Sequence, residues 1–185
     1  EYAEAKSVID IAADISEGLA RVACAGEVDG EVVDLRHVVD KDCELSILTF
    51  EDEGGKGAFR HTTSHIMAQA IKRLYPDTKL AIGPSIADGF YYDVDRETPL
   101  TSEDLEKIEA EMKKIVKEDL KLERFELPRA EAIAFMKEKE EPYKVELIED
   151  LPEDAVISFY RQGEFTDLCA GPHLMSTKPV KAFKL

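Results

Sequence analysis

Hydrophobic and polar positions along this chain change period several times, and each change marks an element. Val8, Ile11, Ala12 and Ile15 recur at i, i+3, i+4 and i+7 between Lys6 and Ile15, which predicts a short amphipathic helix. Strands are expected over 21–28 and 31–35, around the two-residue hairpin signal Asp29-Gly30. Another strand is expected over 44–50, where Leu45 and Ile47 face opposite to Ser46 and Leu48. A helix with about three short strands is a thin unit that buries little apolar surface alone. The stretch 51–57, Glu-Asp-Glu-Gly-Gly-Lys-Gly, then interrupts the pattern with the composition of a flexible connection, and a domain boundary is expected there.

A 3.6-residue period returns in HTTSHIMAQAIKRLY, with Ile66, Ala70, Ile71 and Leu74 available to pack, and Pro76 ends it. Two strands, LAIGPSI and FYYDV, are expected on either side of Ala87-Asp88-Gly89; of Tyr91 and Tyr92, adjacent and therefore on opposite faces, only one can face a site. Thr101 to Asp104 is a capping signature, and Leu105, Ile108, Met112, Ile115 and Val116 form the buried stripe of the longest helix. A strand over 121–127 follows, then a helix with Pro128 as its first residue running to about Lys139, and a short segment over 142–148 that reads as helical. Strands over 155–160 and 164–169 close the pattern as a hairpin around Arg161-Gln162-Gly163, which puts Asp167 and Cys169, two apart, on one face. The fold class is therefore α+β, with antiparallel sheets packed by helices and no internal repeat.

Composition narrows the setting. With 185 residues, 44% of them hydrophobic, the chain can fill real cores, and no run approaches the roughly 18 apolar residues of a membrane span. The start, EYAEAKSVID, lacks the regions of a signal peptide and lacks Met, so a fragment or processed form is expected. Three cysteines, at 24, 43 and 169, offer no disulfide framework and point to a reducing, cytoplasmic setting. Forty acidic residues against 24 basic give a net charge of −16, which repels a polyanion, so any nucleic-acid partner is expected to be held mainly by something outside this chain.

Candidate chemistry lies in two distant motifs, His61-Thr62-Thr63-Ser64-His65 and Cys169-Ala170-Gly171-Pro172-His173. Residues four apart on a helix share a face, so His61 and His65 can converge on one target. The second motif has the same gap, but Gly171-Pro172 cannot continue a helix and is expected in a loop. Together the motifs use three of the four histidines in matched spacings, which points to a shared site. His61, His65, Cys169 and His173 could be four zinc ligands. Without metal, the same groups could serve as general base, hydrogen-bond donors and walls around a small substrate. Cys169 as a nucleophile beside His173 is a further, weaker reading. Neither a Walker loop nor Gly-x-Gly-x-x-Gly is present, so nothing in the chain points to ATP or a dinucleotide.

The segments HTTSHIMAQAIKRLYPDTKLAIGPSIADGFYYDVD, PYKVELI and FTDLCAGPH closely resemble the editing domain of bacterial-type threonyl-tRNA synthetases. Residues 1–50 resemble the small ubiquitin-like TGS domain that precedes it in that family, here without its first strand. The resemblance implies a truncated β-grasp domain over 1–50, a linker over 51–57 and an editing domain over 58–185. By the same resemblance the aminoacylation core, with the ATP and catalytic zinc that it uses, is expected to lie outside these residues. The resemblance further implies hydrolysis of seryl-tRNA(Thr), with the rest of the synthetase chain as partner, a homodimeric parent enzyme and no membrane. By the same resemblance His61 activates or positions the attacking water and Lys144 assists it. Asp167 grips the amino group of serine, Tyr92 lies near the seryl side chain and terminal adenosine, and Gly83 lets the backbone approach the substrate. His65, Cys169 and His173 complete the pocket. Taken alone, Lys144 reads as a surface lysine, Asp167 as a strand-end cap and Gly83 as a bulge. Alanyl-type editing domains share both His/Cys motifs and hold zinc with them; the intervening segments match the threonyl type, so no metal is expected for editing, with zinc on His61, His65, Cys169 and His173 as the alternative. A zinc-bearing tRNA-binding module without hydrolytic activity and a free-standing alanyl-type editing protein are the competing functions.

Overall fold

A computed structural model describes residues 1–185. The chain begins with β1 (Lys6–Ser7) and α1 (Val8–Ile15), whose start is capped by Ser7 accepting from the Asp10 amide. Val8, Ile11 and Ala12 are buried as the stripe predicts, while Ile15, in the last turn, is exposed. α2 (Glu17–Val22) takes residues that the sequence pattern assigns to a strand. Ser16 caps it by accepting from Leu19, and Glu17 pairs with Arg21 one turn on, so local capping outweighs the β-branched Val22. The strand itself is only β2 (Ala25–Val28), joined to β3 (Glu31–Val33) by the predicted turn, with φ of 49° at Asp29 and 85° at Gly30. β4 (Val38–Val39) pairs with β1, and β5 (Leu45–Leu48) completes the sheet β3-β2-β5, all antiparallel.

The stretch 51–57 is not a flexible linker: from Glu53 onward it is the start of α3 (Glu53–Leu74), a 22-residue helix. A Cβ on Gly55 would lie 1.8 Å from the Thr49 carbonyl oxygen, and one on Gly54 would lie 2.7 Å from Leu48 Cδ1. These glycines let the helix press against the end of β5; they supply close approach, not freedom.

The predicted pair of strands after α3 forms one interrupted hairpin. β6 (Lys79–Leu80), β7 (Ser85–Ile86), β8 (Gly89–Phe90) and β9 (Val94–Asp95) pair as β6–β9 and β7–β8. Between them the amide of Asp93 donates to Ile82 at 2.7 Å and that of Ala81 to Asp93 at 2.9 Å. α4 (Ser102–Glu118) starts with the expected capping box of Thr101 and Asp104 and buries Ile108, Met112 and Ile115. β10 (Leu122–Glu126) is followed by α5 (Arg129–Glu138), which Pro128 precedes as the cap residue, and by α6 (Pro142–Asp150), with Pro142 in its first turn. β11 (Ser158–Gln162) and β12 (Phe165–Leu168) complete the antiparallel sheet β10-β11-β12. Their turn lies at Gly163-Glu164, not at 161–163: Arg161 and Gln162 stay in the ladder opposite Thr166 and Phe165, and Gly163 takes φ of 60°.

The first unit does not bury itself alone. Cys24, Ala25 and Leu48 share one apolar cluster with Ile66, Ile71, Met112, Ile115 and Leu174. Met175 packs against Val8, Ala23 and Leu35 in a smaller cluster. On the far side of the chain, Ala132, Met136, Val145 and Ile148 of α5 and α6 cover Phe159 of the sheet. No helix is long and apolar enough to cross a membrane.

Candidate functional site

α3 and the loop after β12 bring the two motifs together. His61 and His65 lie one turn apart with ring centroids 5.1 Å from each other, and the His173 ring sits 4.2 Å from the first and 4.3 Å from the second. Cys169 Sγ lies 3.3 Å from His61 Nε2 and 3.2 Å from His173 Nε2, and accepts from the Gly171 amide at 3.2 Å.

A second group adjoins this one through His65, whose Nε2 lies 3.6 Å from Asp167 Oδ2. The Tyr92 hydroxyl donates to that same oxygen at 2.5 Å, while Lys144 Nζ lies 3.0 Å from Asp167 Oδ1 and donates to Tyr92 at 2.8 Å. Lys144 is therefore no surface residue: it is 3% exposed, and Asp167 2%. Tyr92 faces the site and Tyr91 faces out, as the alternation requires. Tyr92 OH is spent on holding the ion pair. Gly83 serves the tyrosine: a Cβ there would sit 2.1 Å from the Tyr92 ring.

Burial decides the protonation of the cluster. It pushes His65 down to about 3 and His173 well below its ordinary value, and it lowers His61 against the opposing pull of the Asp167 charge. It also pushes the Cys169 thiol up to about 12. Burial would raise Asp167 too, but Lys144, His65 and the Tyr92 hydroxyl outweigh it and hold the carboxyl below its usual range. Near neutral pH the site thus combines neutral imidazoles, a protonated thiol and a carboxylate.

As a donor set, three imidazoles and a cysteine suit zinc, and their ligand atoms all lie within 4.8 Å of one another. Tetrahedral zinc with bonds of about 2.0–2.3 Å spaces its ligands roughly 3.3–3.7 Å apart. Both sulfur–nitrogen distances come close to that spacing, and a modest inward shift of the remaining side chains would close the set.

Several contributors left no signal in the sequence. Thr62, inside the first motif, sets its hydroxyl 2.9 Å from His173 Nδ1 and accepts from the Leu174 amide at 3.0 Å. Ser64 Oγ lies 2.7 Å from the carbonyl oxygens of both His61 and Gly83. Their burial marks them as more than spacers, but only the fold reveals it. Asp34 and Arg36, more than 130 residues away in sequence, bond the backbone of His173. Two cavities reach the site. One, about 370 Å³, is lined by Val32, Gly57, Ala58, His61, Ser85 and Pro172 among others; the other, about 260 Å³, is lined by Lys144 and Asp167 together with Lys72, Lys139 and Glu141.

Residues 1–49 match the TGS domain family, and residues 157–185 match the threonyl and alanyl tRNA synthetase second additional domain. Over all 185 residues the chain is 68% identical to the threonine–tRNA ligase of Acetivibrio thermocellus and 67% identical to that of Clostridioides difficile, spanning 29% of each. It is 62% identical, again end to end, to the threonine–tRNA ligase of Clostridium botulinum, of which it spans 28%.

Proposed function

On the premise that this chain, alike to threonine–tRNA ligases along its whole length, is a segment of that family, we propose that it is the part of the enzyme that corrects its errors, by hydrolysing seryl-tRNA(Thr). The observation that carries this reading is the meeting of His61, His65, Cys169 and His173 with the buried Lys144–Tyr92–Asp167 group in one continuous network. Discrimination against a substrate smaller by one methyl is worth only about 1–3 kcal/mol, so a ligase that must reject serine needs a second, hydrolytic sieve.

In this reading the aminoacyl ester reaches His61 from the cavity that opens on it, with the seryl group directed toward Asp167 and Lys144, which line the second cavity. A neutral imidazole can accept a proton from the attacking water, and burial favours the neutral form of His61. Lys144 stands by as the donor that assists the water and the departing ribose oxygen. Asp167 uses two of its roughly four lone-pair positions on Tyr92 and Lys144, with His65 nearby at 3.6 Å, which leaves room for the seryl ammonium. His65, Cys169 and His173 form the wall that would exclude the extra methyl of threonine. The remainder of the ligase, in a homodimer, would hold the tRNA.

Release of amino acid from seryl-tRNA(Thr) and from threonyl-tRNA(Thr) tests the proposal: serine should be released and threonine spared. His61→Ala should slow serine release by about 10²-fold or more, with the fold intact by circular dichroism. Undiminished hydrolysis would remove His61 from its role. The donor set favours one competing reading, a zinc site on His61, His65, Cys169 and His173. Stoichiometric zinc in protein purified without added metal would move the assignment there.

A further inference from the structure

The loop that carries Cys169 and His173 is gripped from the other domain. Asp34, in the connection between β3 and β4, places Oδ2 2.9 Å from the His173 amide and 2.7 Å from the Tyr160 hydroxyl, both of which donate to it. Its other oxygen accepts from Arg36, at 2.8 Å from the backbone amide and 2.9 Å from Nη1. Arg36 in turn donates to the carbonyls of His173 at 3.2 Å, Leu174 at 2.8 Å and Leu122 at 2.8 Å. The side chains of Asp34 and Arg36 are only 12% and 17% exposed. His173 is thus held at its N–H and its C=O by one pair of residues, while Thr62 holds its ring. Tyr160 completes the grip: its ring lies 4.5 Å from that of His173, and its hydroxyl would meet a Cβ on Gly171 at 2.3 Å.

Scaffolding alone does not require this placement. The ends of the loop already have anchors, Cys169 paired with Ser158 and the Leu174 amide on Thr62. The Asp34–Arg36 pair acts between those anchors, on the residue whose ring touches Cys169 and faces both α3 histidines. From this we infer that Asp34 is a positioning residue for the hydrolytic site: through the His173 backbone and Tyr160, the TGS domain sets where the His173 ring and Cys169 stand. The inference rests on the editing reading for its catalytic consequence, though not for its geometric one.

Asp34→Asn tests it, because an amide cannot accept from the His173 amide and the Tyr160 hydroxyl at one oxygen while keeping both Arg36 contacts at the other. Single-turnover serine release at saturating chain should fall about 10- to 100-fold, the cost of a misplacement near 1 Å. The half-saturating concentration should change less than about twofold, since Asp34 lines neither of the two cavities that reach the site. Alkylation of Cys169 by iodoacetamide, followed on its peptide by mass spectrometry, should quicken several-fold. Tyr160→Phe, which keeps the His173 bond, should move both readouts in the same direction by less, and it stands in if Asp34→Asn does not fold. Glu123→Gln, which breaks a surface pair with Arg161 on the same sheet, should move neither. An Asp34→Asn chain with a lower melting temperature but wild-type hydrolysis and wild-type Cys169 reactivity would overturn the inference. A wild-type chain that releases no serine, combined with faster Cys169 alkylation in Asp34→Asn, would sink the editing reading and leave the positioning intact.

Discussion

Burial fixes the charge of the cluster residues before any substrate arrives, and this has a consequence for stability. His65 and His173 stay neutral in the folded chain far below their ordinary range, whereas in the unfolded chain they take up protons near pH 6.5. Below that pH the unfolded state binds more protons, so stability falls as pH falls. From pH 8 to pH 5.5 each such histidine should cost on the order of 1 kcal/mol. Asp167 works in a lower window: held below its usual range, it adds stability that is present above about pH 4 and lost as pH falls through its folded value. Urea unfolding at pH 8 and 5.5 checks the histidine part, with His65→Asn as the comparison. The variant should lose part of the pH dependence, His173 and His61 supplying the rest; an unchanged slope would mean that His65 protonates within the fold. His61, His65, Cys169 and His173 were legible in the sequence because histidine and cysteine are rare here and fall in matched spacings. Lys144 was legible only through family resemblance, since nothing local tells a buried lysine from an exposed one in PYKVELI.

Among the elements, α3 shows how one residue type carries two meanings. Gly54, Gly55 and Gly57 read as a tether, yet all lie within the helix. Gly55→Ala would drive a Cβ into the Thr49 backbone and should destabilise by about 3 kcal/mol, the upper end for overpacking. At Gly57 the nearest atom to such a Cβ is Ser85 Oγ at 3.9 Å, so alanine should stabilise by up to about 1 kcal/mol through helix propensity. Urea midpoints of the two variants should therefore move in opposite directions; a common direction would refute the packing account. Elements with strong local signals, the capping box of α4 and the Asp29-Gly30 turn, fell where the sequence placed them. α2 did not, because the Ser16 cap prevailed over a hydrophobic run. The Asp34–Arg36 grip has no local signature at all, since its partners lie far along the chain.

For the molecule as a whole, charge argues that this chain is a poor anchor for tRNA. Its net charge is −16, and much of its cationic inventory is engaged: Arg73 with Glu111, Glu118 and Glu164, Arg129 on backbone carbonyls, Lys72 with Glu141. Phosphate contacts supply most nucleic-acid affinity, so the isolated chain should bind tRNA with a Kd weaker than about 1 μM at physiological salt. Fluorescence anisotropy measures this, and a nanomolar complex would refute it. α3 also joins the two units without a glycine tether. A rod of about 33 Å starts against β5 of the first unit and carries His61 and His65 in its third and fourth turns. From Glu53 the helix runs unbroken to His61 and His65, so the close contact of its first turn with β5 and the two histidines belong to one element. A chain cut to begin at Ala58 would lose the first turn of a helix, not a tether, and would start its new terminus one turn from the imidazole on which hydrolysis is proposed to depend.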